Sequence, residues 1–109
     1  PWCLYLHCVY WPDVIRSFQE ITAMADRHQT PVVFAFLPLL LDADQTAGRA
    51  QLYERLMALA RKNGAGAVDL MRPFAAYSDG VAAFRLPGDP WHPNEQGHLI
   101  MADSLYHYL

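Results

Sequence analysis

Two short apolar runs constrain the fold of this chain more than any other feature. Pro31–Leu37 reads PVVFAFL and Gly66–Leu70 reads GAVDL. An unbroken run rich in valine and phenylalanine is typical of a strand that is buried on both faces of a sheet, and both runs are predicted as interior strands. Between them, Leu52, Leu56 and Leu59 recur at helical spacing. Strands that alternate with helices predict parallel β-α units and an α/β fold.

The residues before the first run predict a helix from Pro12 to about His28. Proline is tolerated in the first helical turn, and the acidic Asp13 suits the positive end of a helix. Apolar side chains then recur at helical spacing from Val14 onward. Residues 1–11 are strongly apolar, and their pattern does not decide between a strand and a loop.

The remaining segments are predicted from turn and capping residues. Residues 38–47 and 79–93 are predicted as loops, and residues 71–78 as a short helix. Asn63, with the glycine after it, is expected to end the second helix. Asn94 is expected to cap a final helix. The apolar stripe of that helix consists of Leu99, Ala102, Tyr106 and Leu109.

The number of strands indicates an incomplete sheet. Two strands make a poor parallel sheet, and strands that read as interior require neighbours on both sides. We therefore expect residues 1–109 to form a single partial domain. Either two copies pair through their sheets, or the N-terminal part of the fold lies outside this sequence.

Composition narrows the class of protein. Of the 109 residues, 53% are hydrophobic and only 17% are charged, which excludes a disordered chain. A formal net charge of -3 without a basic stripe argues against a nucleic-acid partner. The longest apolar stretch, Pro31–Leu41, contains two prolines and is too short for a membrane span. Cys3 and Cys8 match neither a CxxC motif nor zinc spacing, so two small buried apolar side chains are favoured over a disulfide or a redox pair.

The stretch that carries chemistry is Gly88–Asn94, which reads GDPWHPN. A carboxylate three residues before a histidine can fold back onto the imidazole within one loop turn. Asp89 would then fix the tautomer of His92 and stabilise its imidazolium, leaving the other ring nitrogen as a base. Pro90 and Pro93 stiffen the backbone on either side. The alternative is a pair that only holds the loop together, and spacing alone favours that alternative.

Neighbouring residues have simpler predicted roles. His98 lies six residues after His92, whereas helical zinc ligands are three or four apart, so no metal site is predicted. His98 is expected to pack against or cap the last helix. Asp69 is expected to hold the turn after the second strand. For Trp91, two roles stay open, namely lining a substrate pocket and anchoring the loop.

The end of the chain resembles the last motif block of the SGNH (GDSL) hydrolases. The matching residues are Asp89 and His92, followed by Pro93-Asn94, Gly97-His98 and an apolar C-terminal helix. The preceding segments resemble that family in order and spacing, so the resemblance covers most of residues 12–109. It implies a three-layer α/β/α sandwich with a parallel, flavodoxin-like sheet. It also implies that Asp89 and His92 belong to a Ser-His-Asp triad that cleaves esters, with no metal or cofactor.

The nucleophile of that family is absent from this sequence. The family takes its serine from a Gly-Asp-Ser-like block near the N-terminus, and its oxyanion donors from that block and two middle blocks. Here Ser17 and Ser104 fall in predicted helices and Ser78 in a predicted turn, so none is expected to be the nucleophile. The resemblance therefore implies the C-terminal segment of an esterase, lipase or acetylesterase, inactive alone and acting on a small-molecule ester.

Two alternatives remain beside the hydrolase. The first is an acyltransferase of the same fold, since an acyl-enzyme can be intercepted by an alcohol instead of water. The second is a non-catalytic α/β module that uses its apolar surface to bind itself or another protein.

Overall fold

The computed structural model describes residues 2–40, 49–77 and 80–109 of the chain. These residues form an α/β structure, which confirms the predicted class. No helix within the described ranges is long and apolar enough to cross a bilayer. In chain order the elements are α1 (Trp2–Arg27), β1 (Val33–Phe36), α2 (Arg49–Lys62), β2 (Gly66–Asp69), two 3₁₀ helices (Arg72–Ala76 and Val81–Phe84) and α3 (Glu95–Tyr108).

The two strands pair directly with each other and run parallel. The Gly66 N–H donates to the Val32 carbonyl at 2.8 Å, and the Leu70 N–H donates to the Phe36 carbonyl at 3.1 Å. Donor and acceptor keep the same separation along the chain at both ends, as a parallel ladder requires. In β2 both central side chains are buried, which confirms that this strand is covered on both faces, although β1 is its only neighbour among the described strands.

The prediction that β1 is buried on both faces is wrong. Its side chains alternate between exposed and half-buried. On the covered face, the Phe34 ring stacks on Phe18 of α1 with ring centroids 4.2 Å apart. On the other face, Val33 is 39% exposed and Ala35 is exposed as well. An apolar run therefore marked the strand correctly, but run composition cannot show whether a second layer covers it.

The predicted start of the first helix is also wrong. α1 begins at Trp2, and Pro12 lies inside it rather than in its first turn. An internal proline loses one backbone hydrogen bond and costs about 3 kcal/mol. No glycine and no second proline occurs in α1, so nothing else interrupts it. The Arg55 guanidinium of α2 lies 4.7 Å from the centroid of the Trp11 ring, so the residue next to the proline makes a cation–π contact with α2.

The predicted end of α2 is confirmed. Gly64 has φ +78°, a conformation that glycine adopts without a steric penalty. The Ala65 N–H donates to the Ala60 carbonyl at 3.0 Å, and the Gly64 N–H donates to the Arg61 carbonyl at 3.0 Å. These two bonds form a Schellman motif, which satisfies the last helical carbonyls.

The chain divides into two compact units, one of residues 1–34 and 51–67 and the other of residues 35–50 and 68–109. The second unit has its own apolar core and carries the Asp89–His92 loop. The single partial domain stays a prediction. The core of the second unit consists of Leu40, Phe74 and Phe84, with Val81, Ile100 and Met101 packed against them.

Helix α3 turns a different face to that core than its apolar stripe suggested. Leu99 is 63% exposed and Tyr106 is 79% exposed. The reason is the buried Gly97, because a Cβ at that position would lie 2.5 Å from the Phe84 carbonyl oxygen. The helix approaches the Phe84 backbone through this glycine, which turns Ile100 and Met101 inward and leaves the predicted stripe on the outside.

Some predictions concern residues outside the described part of the chain. These are the loop prediction over residues 41–47, the hydroxyl of Ser78 and the packing of the Cys3 and Cys8 side chains. Within the predicted loop over residues 79–93, the structure adds the 3₁₀ helix Val81–Phe84.

Candidate functional site

The Asp89–His92 loop lies on a short antiparallel stem between the second 3₁₀ helix and α3. The Leu86 N–H donates to the His92 carbonyl at 3.0 Å, and the Asn94 N–H donates to the Phe84 carbonyl at 2.9 Å. Arg85 and Pro93 face each other between these two bonds. Because Phe84 is buried in the core of this unit, the stem has a rigid base.

A tight turn brings Asp89 into position. The Asp89 N–H donates to the Leu86 carbonyl at 3.0 Å, which closes a four-residue turn. Pro87 holds the second position, and Gly88 holds the third with φ +72°. This is the arrangement of a type II turn, which requires a positive φ at the third residue. Proline and glycine therefore set the direction in which the chain enters the Asp89–His92 segment.

The two carboxylate oxygens of Asp89 contact different partners, one the loop backbone and the other the imidazole of His92. Oδ1 accepts the backbone N–H of Trp91 at 2.9 Å and that of His92 at 3.2 Å. Oδ2 lies 2.6 Å from Nδ1 of His92. The backbone bonds fix the carboxylate, so its second oxygen meets the imidazole in a set orientation. The fold-back that the spacing predicted is present.

The environment of Asp89 favours its ionised form. Hydrogen bonds from the Trp91 backbone N–H, and next from the His92 ring, hold the pKa of Asp89 below its ordinary value of 3.8. An ionised carboxylate accepts the proton of Nδ1 and selects the Nδ1–H tautomer of His92. The other nitrogen, Nε2, has no hydrogen-bond partner among the described residues. The His92 side chain is 70% exposed, so Nε2 is accessible to a substrate or to another segment of protein.

This geometry predicts a pH dependence of stability. Because the pKa of Asp89 is lowered by folding, its contribution is present above pH 3.8 and is lost as the pH falls through the folded-state pKa. We expect the difference in melting temperature between the wild type and Asp89→Asn to be largest near about pH 6 and to narrow towards about pH 2. Calorimetry across this range measures the difference.

Asp103→Asn provides the matched control for that experiment. The Asp103 carboxylate is exposed and lies 3.4 Å from Nδ1 of His107, but it accepts no backbone N–H within the described ranges. Its replacement should leave the melting temperature nearly unchanged at every pH. A gap between wild type and Asp89→Asn that stays constant down to about pH 2 would show that the Asp89 charge does not stabilise the loop.

No protein family, no curated protein and no solved structure matches this chain. The assignment of the site therefore rests on the residues of the loop and on their geometry. The described residues also contain no group of three or more His, Cys, Asp or Glu side chains that could hold a metal ion.

The structure clarifies the other predicted residues. Asp69 accepts the Met71 N–H at 2.8 Å, which confirms its role in the turn after β2. His98 lies in the first turn of α3, where its exposed ring donates from Nδ1 to the Asn94 carbonyl at 2.9 Å. Trp91 is 53% exposed, so its indole is accessible beside His92. Ser17 lies in α1, where its hydroxyl donates to the Asp13 carbonyl, and Ser104 lies in α3.

Sequence reasoning missed the contribution of Asn94 and Gly97 to this site. Asn94 was expected only to cap α3, which it does by accepting the Gly97 N–H at 3.0 Å. Its amide nitrogen also donates to the Ala83 carbonyl at 2.8 Å and lies 3.4 Å from the Arg85 carbonyl. The choice of asparagine at a cap was the available signal, because its acceptor and its donor are on two different atoms, whereas aspartate has no donor and serine has both on one oxygen.

Proposed function

We propose that Asp89 and His92 are the aspartate and the histidine of a Ser-His-Asp triad in a serine ester hydrolase. The chain is the C-terminal segment of an SGNH-like domain, and the nucleophilic serine comes from another segment of the complete protein. The observation that carries this proposal is the 2.6 Å contact between Asp89 Oδ2 and His92 Nδ1, with the Asp89 carboxylate held separately by two backbone N–H groups. A pair built this way presents a base of fixed tautomer.

The proposed reaction has two halves, formation of an acyl-enzyme and its hydrolysis. His92 transfers one proton in each half. Nε2 takes the proton of the serine hydroxyl while the serine oxygen attacks the ester carbonyl carbon, and the imidazolium then gives that proton to the departing alcohol. Water attacks the resulting acyl-enzyme in the second half, with Nε2 taking its proton and returning it to the serine as the carboxylic acid leaves. Asp89 stays ionised throughout and stabilises the imidazolium.

The same site would support acyl transfer. If an alcohol such as a sugar hydroxyl replaces water in the second half, the product is a new ester and the proton path through Nε2 is unchanged. Neither reaction requires a metal or a cofactor at the Asp89–His92 pair.

The proposed fold is a three-layer, flavodoxin-like sandwich to which this chain contributes two parallel strands. The exposed face of β1, with Val33 and Ala35, supports a further layer from elsewhere in the protein. A parallel sheet is normally covered by helices on both faces, so the open apolar face of β1 indicates that one covering layer is missing from the described residues.

Ester hydrolysis by this chain and by the intact product of its gene tests the proposal. On p-nitrophenyl acetate, we expect the chain alone to react no faster than free imidazole, because triad members act as a unit. The intact product should turn over the same ester. Enzymatic turnover by the 109-residue chain, or an intact product that is inactive on esters of short and long acyl groups, would contradict the proposal.

A non-catalytic binding module is the second candidate. The exposed apolar side chains of α3 favour it, because Leu99 is 63% and Tyr106 is 79% exposed. Such a module would pair with a second copy or with another protein through this face. An intact gene product that is inactive on esters and self-associates in analytical ultracentrifugation would favour the module over the hydrolase.

A further inference from the structure

The side chain of Asn94 makes more contacts than a helix cap needs. A capping residue uses one side-chain oxygen to accept an N–H of the first helical turn. Asn94 does so through Oδ1, which accepts the Gly97 N–H at 3.0 Å. Its amide nitrogen also donates across the stem to the Ala83 carbonyl at 2.8 Å, with the Arg85 carbonyl 3.4 Å away. The second set of contacts contributes nothing to capping.

These contacts join the two limbs of the stem beneath the Asp–His pair. Ala83 and Arg85 belong to the limb that enters the loop, while His92 and Asn94 belong to the limb that leaves it. The backbone bond from the Asn94 N–H to the Phe84 carbonyl, at 2.9 Å, lies between the two side-chain contacts. Asn94 therefore donates hydrogen bonds to three successive carbonyls of the entering limb. These bonds fix the register between the two limbs at a position two residues after His92.

The carbonyls to which Asn94 donates belong to a segment that is packed into the core of this unit. Phe84 is buried against Phe74, with ring centroids 5.5 Å apart. Gly97 brings α3 so close that a Cβ there would lie 2.5 Å from the Phe84 carbonyl oxygen and 2.8 Å from Cβ of Pro93. The Phe84 carbonyl therefore lies in close contact with α3, and the Asn94 amide links this packed part of the entering limb to the leaving limb.

We infer that Asn94 is a positioning residue for His92, because its amide nitrogen ties the limb that carries His92 to the limb that leads to Asp89. Serine or aspartate at position 94 would cap α3 about as well as asparagine. An ionised aspartate has no donor, and the single oxygen of serine is the atom that accepts the Gly97 N–H, so neither places a donor where the Asn94 amide nitrogen lies. An effect of Asn94 on turnover rests on the proposed function, whereas its effect on the orientation of His92 does not depend on that function.

Substitutions at Asn94 separate capping from positioning. Asn94→Ser and Asn94→Asp keep the cap and lose the donation to Ala83, while Asn94→Ala loses both. Asn63→Ser is the matched control, because the Asn63 amide nitrogen also donates to a backbone carbonyl, that of Leu59 at 2.8 Å, at the end of α2. All four variants are made in this chain and their thermal transitions are recorded.

The readout is the tautomer of His92, measured from its two ring ¹⁵N chemical shifts. The wild type and Asn63→Ser should show the Nδ1–H tautomer that the Asp89 carboxylate selects. Asn94→Ser and Asn94→Asp should melt within a few degrees of wild type yet populate both tautomers. In the intact gene product, Asn94→Ser should lower kcat by about 10²-fold with little change in KM, because a small displacement of the base affects the reaction more than binding.

The outcomes distinguish this inference from the proposed function. If Asn94→Ser keeps the wild-type tautomer, or if both cap-preserving variants lose their cooperative thermal transition, Asn94 does not position His92 in the way inferred. If the tautomer changes as expected while the intact product hydrolyses no ester, the positioning role stands and the hydrolase assignment fails.

Discussion

Replacing His92 by alanine in the intact gene product should lower ester turnover on the order of 10⁴-fold or more, because no other group then takes the serine proton. Binding of the ester should change little, so the loss should fall on kcat. The side chain is 70% exposed on a loop, so the variant should fold and melt within a few degrees of the wild type. Steady-state kinetics and calorimetry on the same samples give both results.

His107→Ala provides the matched control for that variant. His107 is also an exposed histidine beside an aspartate, with Nδ1 3.4 Å from Asp103 Oδ1 and 2.8 Å from the Asp103 carbonyl. It lies on α3 and outside the loop, so its replacement should leave turnover unchanged. If a folded His92→Ala retained near-parental turnover, the Asp89–His92 pair would only hold the loop together.

Asp89→Asn should be the second most damaging substitution in the intact product. In serine proteases the corresponding change costs about 10⁴ in turnover. The asparagine oxygen can still accept the Trp91 and His92 N–H groups, so the loop should keep its shape. The amide nitrogen would then donate to His92 Nδ1 and select the Nε2–H tautomer, which cannot act as a base. We therefore expect turnover to fall severely, though less than in His92→Ala.

The pH profile adds a distinguishing measurement for Asp89→Asn. Part of the lost turnover should return at high pH, where hydroxide replaces the base, if the substitution acts through the tautomer. Asp103→Asn should behave like the wild type. An Asp89→Asn variant with wild-type turnover at neutral pH would contradict a role for the carboxylate in orienting His92.

The elements that depend on local sequence were predicted well. The end of α2 follows from Asn63-Gly64, and the start of α3 follows from the capping side chain of Asn94. The Asp89–His92 contact also followed from spacing, because a three-residue separation within a proline-stiffened loop leaves few other arrangements. In each case the deciding interactions join residues fewer than six positions apart.

The features that depend on distant residues were not predicted. The open face of β1 depends on what covers the strand, and the amide contacts of Asn94 reach residues nine and eleven positions away. The inward face of α3 depends on the fit of Gly97 against the Phe84 carbonyl rather than on its apolar stripe. The interior proline of α1 is a related case, because a proline at the first helical turn and a proline inside a helix cannot be told apart from the residues next to it.

Labelling of the intact gene product with a fluorophosphonate, followed by mapping of the modified residue, shows whether His92 activates a serine and where that serine lies. We expect one labelled serine outside these 109 residues, with labelling abolished in His92→Ala and retained in His107→Ala. Labelling of Ser17, Ser78 or Ser104, labelling that does not depend on His92, or an intact product that contains no reactive serine would contradict it.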